Sequence, residues 1–446
     1  MLKKYINKII DFLKKPVIRN ILVVISITSF IKFIGFFKET VVASEFGLSI
    51  YIDTFLIASI IPGFISTVFL NSFANVFIPN YIANEKANGS IKSFQSSSFL
   101  ITFACSTVFF IIAITFTDIY LENFIPGHTN EYYALVKKQF RYISPCILIW
   151  GLSSLLTGLL NIKGEFKFSS FGPIFIPLTI LFFLKFNNNL INDDLVLAIS
   201  TLIGSILTFI FLLSICLYKK TLSLGKIDFK NKNIVTMLRE FPLKISSSLL
   251  TGLIPVVDQY FAAMLVIGSV AAINYGLKIP AFILGFSMVG LGNVLLPHFS
   301  KLINEDINKA YEHLFKVLKY LFSGALVVVI LLIIFSPTIV KLLFERNEFT
   351  ASDTYKVSNI QMILLAYIPF YLCGNVLVKF LTSTNKNKFM AKISLFNLIL
   401  SVILDYILMK SYGVYGIVLA TTIVYSISPF IYLNFSIKEY KKIRNA

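Results

Sequence analysis

Twelve mainly apolar stretches follow one another along this sequence, near residues 19–44, 52–82, 94–117, 138–162, 168–186, 194–218, 241–266, 270–299, 311–340, 357–382, 389–410 and 414–437. Each reaches the ~20 residues that a helix needs to cross the hydrocarbon core of a bilayer. Lipid offers the backbone no hydrogen-bond partner, so stretches of this length span it as helices that satisfy their own N–H and C=O groups. The pattern predicts an all-α polytopic membrane protein of about 12 transmembrane helices. Several stretches contain Gly, Pro or a charge, which predicts tilted or bent spans. Composition agrees, with 57% hydrophobic and 14% charged residues, against about 45–50% and 25% in soluble domains. Lipid-facing helices also give the 45 Phe a place that a soluble core lacks.

The formal net charge of +18 does not point to nucleic acid, because the Lys and Arg sit in short connections between apolar stretches. Contact with anionic membrane lipids and fixed topology account for that placement. Odd-numbered connections such as 47–50, 118–133 and 187–194 hold no Lys or Arg, while 219–239 holds Lys219, Lys220, Lys226, Lys230, Lys232 and Arg239. The positive-inside rule then puts both termini in the cytoplasm, which an even number of spans requires. Residues 1–16 carry Ile6, Ile9, Ile10 and Leu13 at helical spacing among lysines, the pattern of an interfacial helix. Cys105, Cys146, Cys216 and Cys373 each fall in an apolar run without CxxC spacing. With only three His in the chain, neither a disulfide framework nor a metal site is expected.

An internal repeat organises the spans. Pro62-Gly63-Phe64 and Pro280-Ala281-Phe282 each open a stretch that closes on Asn75-Val76-Phe77-Ile78-Pro79 or Asn293-Val294-Leu295-Leu296-Pro297, and the paired positions stand 218 residues apart. Leu160, Lys167 and Phe168 are echoed by Leu381, Lys388 and Phe389 at a separation of 221. The chain therefore reads as two six-helix lobes, residues 1–225 and 226–446. Six is even, so the second lobe enters from the same side as the first, a parallel repeat around a central cavity suited to alternating access.

Charges at bilayer depth are costly and by default face a cavity or a partner. They fall in corresponding spans of the two lobes: Lys32, Lys38 and Glu39 in the first, Asp53 in the second, Asp258 in the seventh and Lys278 in the eighth. Lys32 and Glu39 are seven apart and share a helix face. Lysines inside such a cavity suit an anion such as a pyrophosphate, with Glu39 and Asp258 as supporting charges. Holding the spans together by ion pairs is the plainer role open to Glu39, Asp53 and Asp258. No P-loop or nucleophile arrangement appears, so the chain reads as a transporter, not an enzyme, without a cofactor and driven by an ion gradient or the membrane potential.

Four motifs stand out along the chain: Ile34-Gly35-Phe36-Phe37-Lys38-Glu39 with Phe46-Gly47 and Asp53-Thr54-Phe55, Gly268-Ser269-Val270 with Tyr275 and Lys278, Phe140-Arg141-Tyr142-Ile143-Ser144-Pro145, and Phe349-Thr350-Ala351-Ser352-Asp353-Thr354. Together they resemble the MurJ (MviN) lipid II flippases. That family shares a superfamily with the Wzx-type polysaccharide flippases and the MATE exporters. The resemblance implies translocation of an undecaprenyl-diphosphate-linked saccharide, lipid II or a related lipid-linked oligosaccharide, in the bacterial inner membrane as a step of cell-wall biogenesis. It implies a polyprenyl-diphosphate partner, and the chain is taken to work as a monomer. Lys32, Lys38 and Lys278 stand where the family has functional arginines and Asp53 where it has a functional aspartate, so these four are the expected substrate-binding residues. Two departures accompany the match: all three cations are Lys, and Ser66 and Thr67 replace an arginine pair. An ion-coupled MATE-type exporter of small molecules is the alternative, although such a pump calls for acidic cavity residues.

Overall fold

The computed structural model describes residues 16–186 and 191–445. The expected interfacial helix over 1–16 lies, apart from Pro16, outside the described residues. The described chain is helical throughout, its β-pairing limited to one isolated bridge between Arg346 and Phe349. Its helices are α1 (Pro16–Phe46), α2 (Ile50–Ile65), α3 (Asn71–Lys86), α4 (Ile91–Phe124), α5 (Asn130–Ile143), α6 (Cys146–Ile162), α7 (Phe166–Phe171), α8 (Phe175–Phe186) and α9 (Val196–Tyr218). After the long connection come α10 (Lys232–Ala263), α11 (Ser269–Gly276), α12 (Lys278–Glu305), α13 (Ile307–Ile334), α14 (Ser336–Phe344), α15 (Ala351–Leu365), α16 (Ile368–Ser383), α17 (Asn387–Tyr412) and α18 (Val414–Asn445).

Ten helical segments among the described residues are long and apolar enough to cross a membrane. They match ten of the twelve apolar stretches. The other two, 19–44 and 241–266, coincide largely with α1 and α10, helices of 31 and 32 residues. The interruptions read from Gly and Pro also appear. Pro62 lies inside α2, and four residues on the chain passes into a π-helical turn, Ser66–Leu70, before α3. Pro cannot donate a backbone hydrogen bond, and single π turns absorb such breaks and recur at functional positions. Further breaks fall at Ser144-Pro145 between α5 and α6, at Leu277 between α11 and α12, and at Ala366-Tyr367 ahead of Pro369. Rows of exposed Phe, Val, Ile and Leu along α4 and α13, including Phe103, Ile111, Phe116, Val327, Leu331 and Ile334, form faces that only lipid covers without cost.

The contacts divide the chain into two compact units: Met1–Val41, Ala58–Asn123 and Thr129–Leu249 in the first, and Val42–Ile57, Phe124–His128 and Leu250–Ala446 in the second. The chain thus passes from one unit to the other within α1, α2 and α10. The core of the first unit joins Phe73, Phe77 and Tyr81 of α3 to Phe94 of α4, Leu155 and Leu159 of α6, and Ile234 and Met237 of α10. Its connection 219–231 is strapped to the start of α4, where Gln95 accepts from Ser223 N and donates to Thr221 O, and Ser96 accepts from Gly225 N. The core of the second unit joins Phe299 of α12, Tyr311 and Leu314 of α13, Val376 and Phe380 of α16, and Tyr432 of α18.

The duplication is written into local geometry. In the first unit Gly164 ends a helix at φ +78°, Glu165 N returns to Leu160 O, and the Glu165 carboxylate meets Lys219 at 2.7 Å. In the second, Asn385 has φ +59°, Lys386 N returns to Leu381 O, and Lys386 meets Glu439 at 2.8 Å. Both are left-handed helix stops with the same return bond. The staple is kept while its charges are exchanged.

Candidate functional site

Asp53 has the most sharply defined surroundings of the expected site residues. Gly47 turns the chain between α1 and α2 at φ +50°, packed so closely on Glu348 that a Cβ would collide with its carbonyl. The turn is fastened by Glu348 N donating to Ser44 O (3.1 Å) and Asn347 Nδ2 donating to Ser44 Oγ (2.8 Å). One turn into α2, Asp53 is 2% exposed and its two oxygens accept from Gly268 N (3.0 Å) and Ala271 N (2.8 Å). It therefore caps α11 from a distance, meeting orphan N–H groups and the positive end of the helix dipole. Gly268 makes this possible, with φ +85° and Leu48 O only 2.6 Å from where a Cβ would stand. Ala271 lies 218 residues after Asp53, the separation of the repeat, so equivalent positions of the two halves meet and one carries a carboxylate. Lys356 of α15, half-buried, brings positive charge to the same surroundings, and His128, whose Nε2 donates to Ala263 O at 2.6 Å, stands close by.

Lys32, Lys38 and Glu39 lie on α1 in the first unit. Lys38 and Glu39 are ion-paired at 2.5 Å, both about four-fifths buried. Lys32 and Glu39 lie on the face of α1 opposite an exposed stripe of Phe30, Phe33 and Phe37. Lys278, half-buried, opens α12 at the break after α11 and belongs with Asp53 to the second unit. Ser66 and Thr67 open the π-helical turn.

Asp258 lies inside the second unit. Its carboxyl is within side-chain hydrogen-bond reach of Asp405 on α17. Thr421 of α18 donates to Asp258 Oδ2 at 2.9 Å and Ser401 donates to Asp405 Oδ2 at 3.3 Å. Asp258 is 8% exposed and Asp405 fully buried. Two ionised carboxylates so close together and so buried repel each other at high cost. Tyr367, Tyr371 and Tyr425 pack ring to ring beside the pair, at centroid separations of 5.2 to 5.9 Å. In sequence Lys379 and Asp405 read as a structural pair or as a second polar path, and among the described residues no ion pair joins them. Sequence reasoning named Asp258 but missed its pairing with Asp405, and it missed Lys356 and His128 near Asp53. Asp405 did show as an acid within an apolar run.

An all-helical, multi-pass architecture with ionisable groups held at bilayer depth defines a membrane transport protein. Among solved structures, one described as "Lipid II flippase MurJ, inward closed conformation" is similar with a TM-score of 0.79 at 24% identity, covering 94% of this chain and 87% of the other. An inward-facing multidrug resistance MATE family transporter of the MOP superfamily shares the fold with a TM-score of 0.75 at 13% identity, covering 96% and 99%. The "Probable lipid II flippase MurJ" of Buchnera aphidicola subsp. Baizongia pistaciae (strain Bp) is 25% identical over 412 residues, 90% of this chain and 80% of that protein. Residues 42–445 match the family described as "Lipid II flippase MurJ", and the chain belongs to that family.

Proposed function

We propose that this protein flips an undecaprenyl-diphosphate-linked saccharide, lipid II or a closely related precursor, across the bacterial inner membrane by alternating access. The family match over 42–445 carries this reading. Lys32, Lys38 and Lys278 serve as point-charge partners of the diphosphate, strong even without the bidentate fork of arginine. Asp53 contributes by fixing the start of α11, the short helix that ends two residues before Lys278 opens α12. The protein works as a monomer with both termini in the cytoplasm, the side to which its basic connections assign them. Depletion in the native cell, followed by analysis of the lipid-linked intermediates, tests the cargo. Accumulation of lipid II or of a related undecaprenyl-diphosphate saccharide is expected; accumulation of no lipid-linked intermediate overturns it.

The energy comes from an ion gradient or the membrane potential, worth about 2.3 kcal/mol per charge per 100 mV. The Asp258–Asp405 pair supports this, since two carboxyls buried against each other are a place where a coupling proton or cation can be taken up. Asp258→Asn keeps a polar partner for Asp405 and relieves the charge repulsion. The variant is expected to melt at or above the temperature of the parent while flipping falls at least about tenfold, the size of a lost coupling step. Unchanged flipping in this variant removes the pair from the mechanism.

A further inference from the structure

The second unit has a surface groove of about 430 Å³ between α13, α16 and α18, a volume within the ~300–1,000 Å³ of small-molecule sites. Phe315 and Phe322 of α13, Phe370 of α16, and Phe430 and Ile437 of α18 line it, and Lys319 is the one charged lining residue. The groove takes its form from the sequence. Pro429, inside α18, packs on Gly374 of α16, where a Cβ would stand 2.9 Å from the proline ring. Phe370 then meets Phe322 at 5.2 Å and Phe430 at 5.4 Å, closing one end with aromatic rings. Toward the other end Phe315 packs on Tyr440 at 5.7 Å.

The charges along the two helices say where this groove sits. Helix α13 has no charged residue from Tyr320 to Ile334, and α18 has none from Val414 to Ile437. Lys319 and Lys438 are the first charges beyond those runs, and both are exposed. Lysines at such ends mark the level where hydrocarbon gives way to headgroups. From Phe315 to Phe322 the groove follows α13 for roughly 10 Å, and it crosses that level. An apolar trough with one cation at the headgroup level complements an amphiphile with an anionic head and a hydrocarbon tail.

We propose that the groove binds one acyl chain of an anionic bilayer phospholipid, with the headgroup phosphate against Lys319. This site is separate from Lys32, Lys38 and Lys278 and stands whether or not the flippase reading does. The test uses the full chain released from lipid nanodiscs into native mass spectrometry, with phosphatidylglycerol or phosphatidylcholine supplied as probe. Phosphatidylglycerol is expected to be retained preferentially, and Lys319→Glu to lower that retention about tenfold, the effect of reversing one interfacial charge. Ile437→Trp, which fills the mouth with an aromatic ring, should lower retention of the same lipid while leaving Lys319 in place. Equal retention of both lipids with no response to either substitution overturns the proposal. So does displacement of phosphatidylglycerol by undecaprenyl diphosphate at equal concentration, which would assign the groove to the cargo. A dimer that dissociates in Lys319→Glu would likewise overturn it, by assigning the groove to a second copy.

Discussion

Asp53 shows how one side chain can be legible as important and illegible in what it does. An acid at bilayer depth is visible in sequence as a group that needs a partner. Its partners are the N–H groups of Gly268 and Ala271, more than two hundred residues away, which no local pattern connects to it. Removing the carboxylate leaves two buried donors unsatisfied, each costing about 1–3 kcal/mol. Asp53→Ala is therefore expected to lower thermal stability clearly, and Asp53→Asn to lower it less, since its amide oxygen still accepts from one of the two. Melting curves of both variants in one detergent check this order; equal stability of Asp53→Ala and the parent would contradict the capping role. Asp258 follows the same logic, because Asp405 lies 147 residues further on, in a span whose pattern gives no sign of facing α10.

At the level of elements, the apolar stretches translated almost directly into helices, because span length is a one-dimensional property. Breaks were legible where Pro or Gly caused them, as at Pro62 and Pro145. The division at Leu277 is marked in the same way, since Pro280 three residues on cannot donate to Gly276 O. The helix start at Ala351 was readable: Thr350 and Asp353 have capping-box spacing, and in the fold each side chain bonds the backbone of the other. The charge-exchanged staples Glu165–Lys219 and Lys386–Glu439 emerge only when the two halves are superposed by their repeat. Both pairs are partly exposed, so each is worth about 0.2–1 kcal/mol. Glu165→Lys should lose that amount, and adding Lys219→Glu should recover most of it. A double-mutant cycle on thermal unfolding measures the coupling energy, and a value of zero would make the staple a geometric remnant of duplication without energetic weight.

For the whole molecule, the repeat is the sequence feature that reaches furthest into the fold, its 218-residue separation returning in the bond between Asp53 and Ala271. It could not disclose which segments pack into which compact unit, because residues 42–57 and 226–249 each join the unit that the other half dominates. The central claim of the proposed mechanism is that Lys32, Lys38 and Lys278 serve as partners of an anionic cargo. Purified protein reconstituted in liposomes with a fluorescent lipid II, assayed by quenching from the outer face, tests it most directly. The parent should move lipid II between leaflets, Lys278→Ala and Lys38→Ala should each slow it at least about tenfold, the loss of one charge-assisted contact, and Lys278→Arg should retain it. Transport at the parent's rate in both alanine variants would contradict the account.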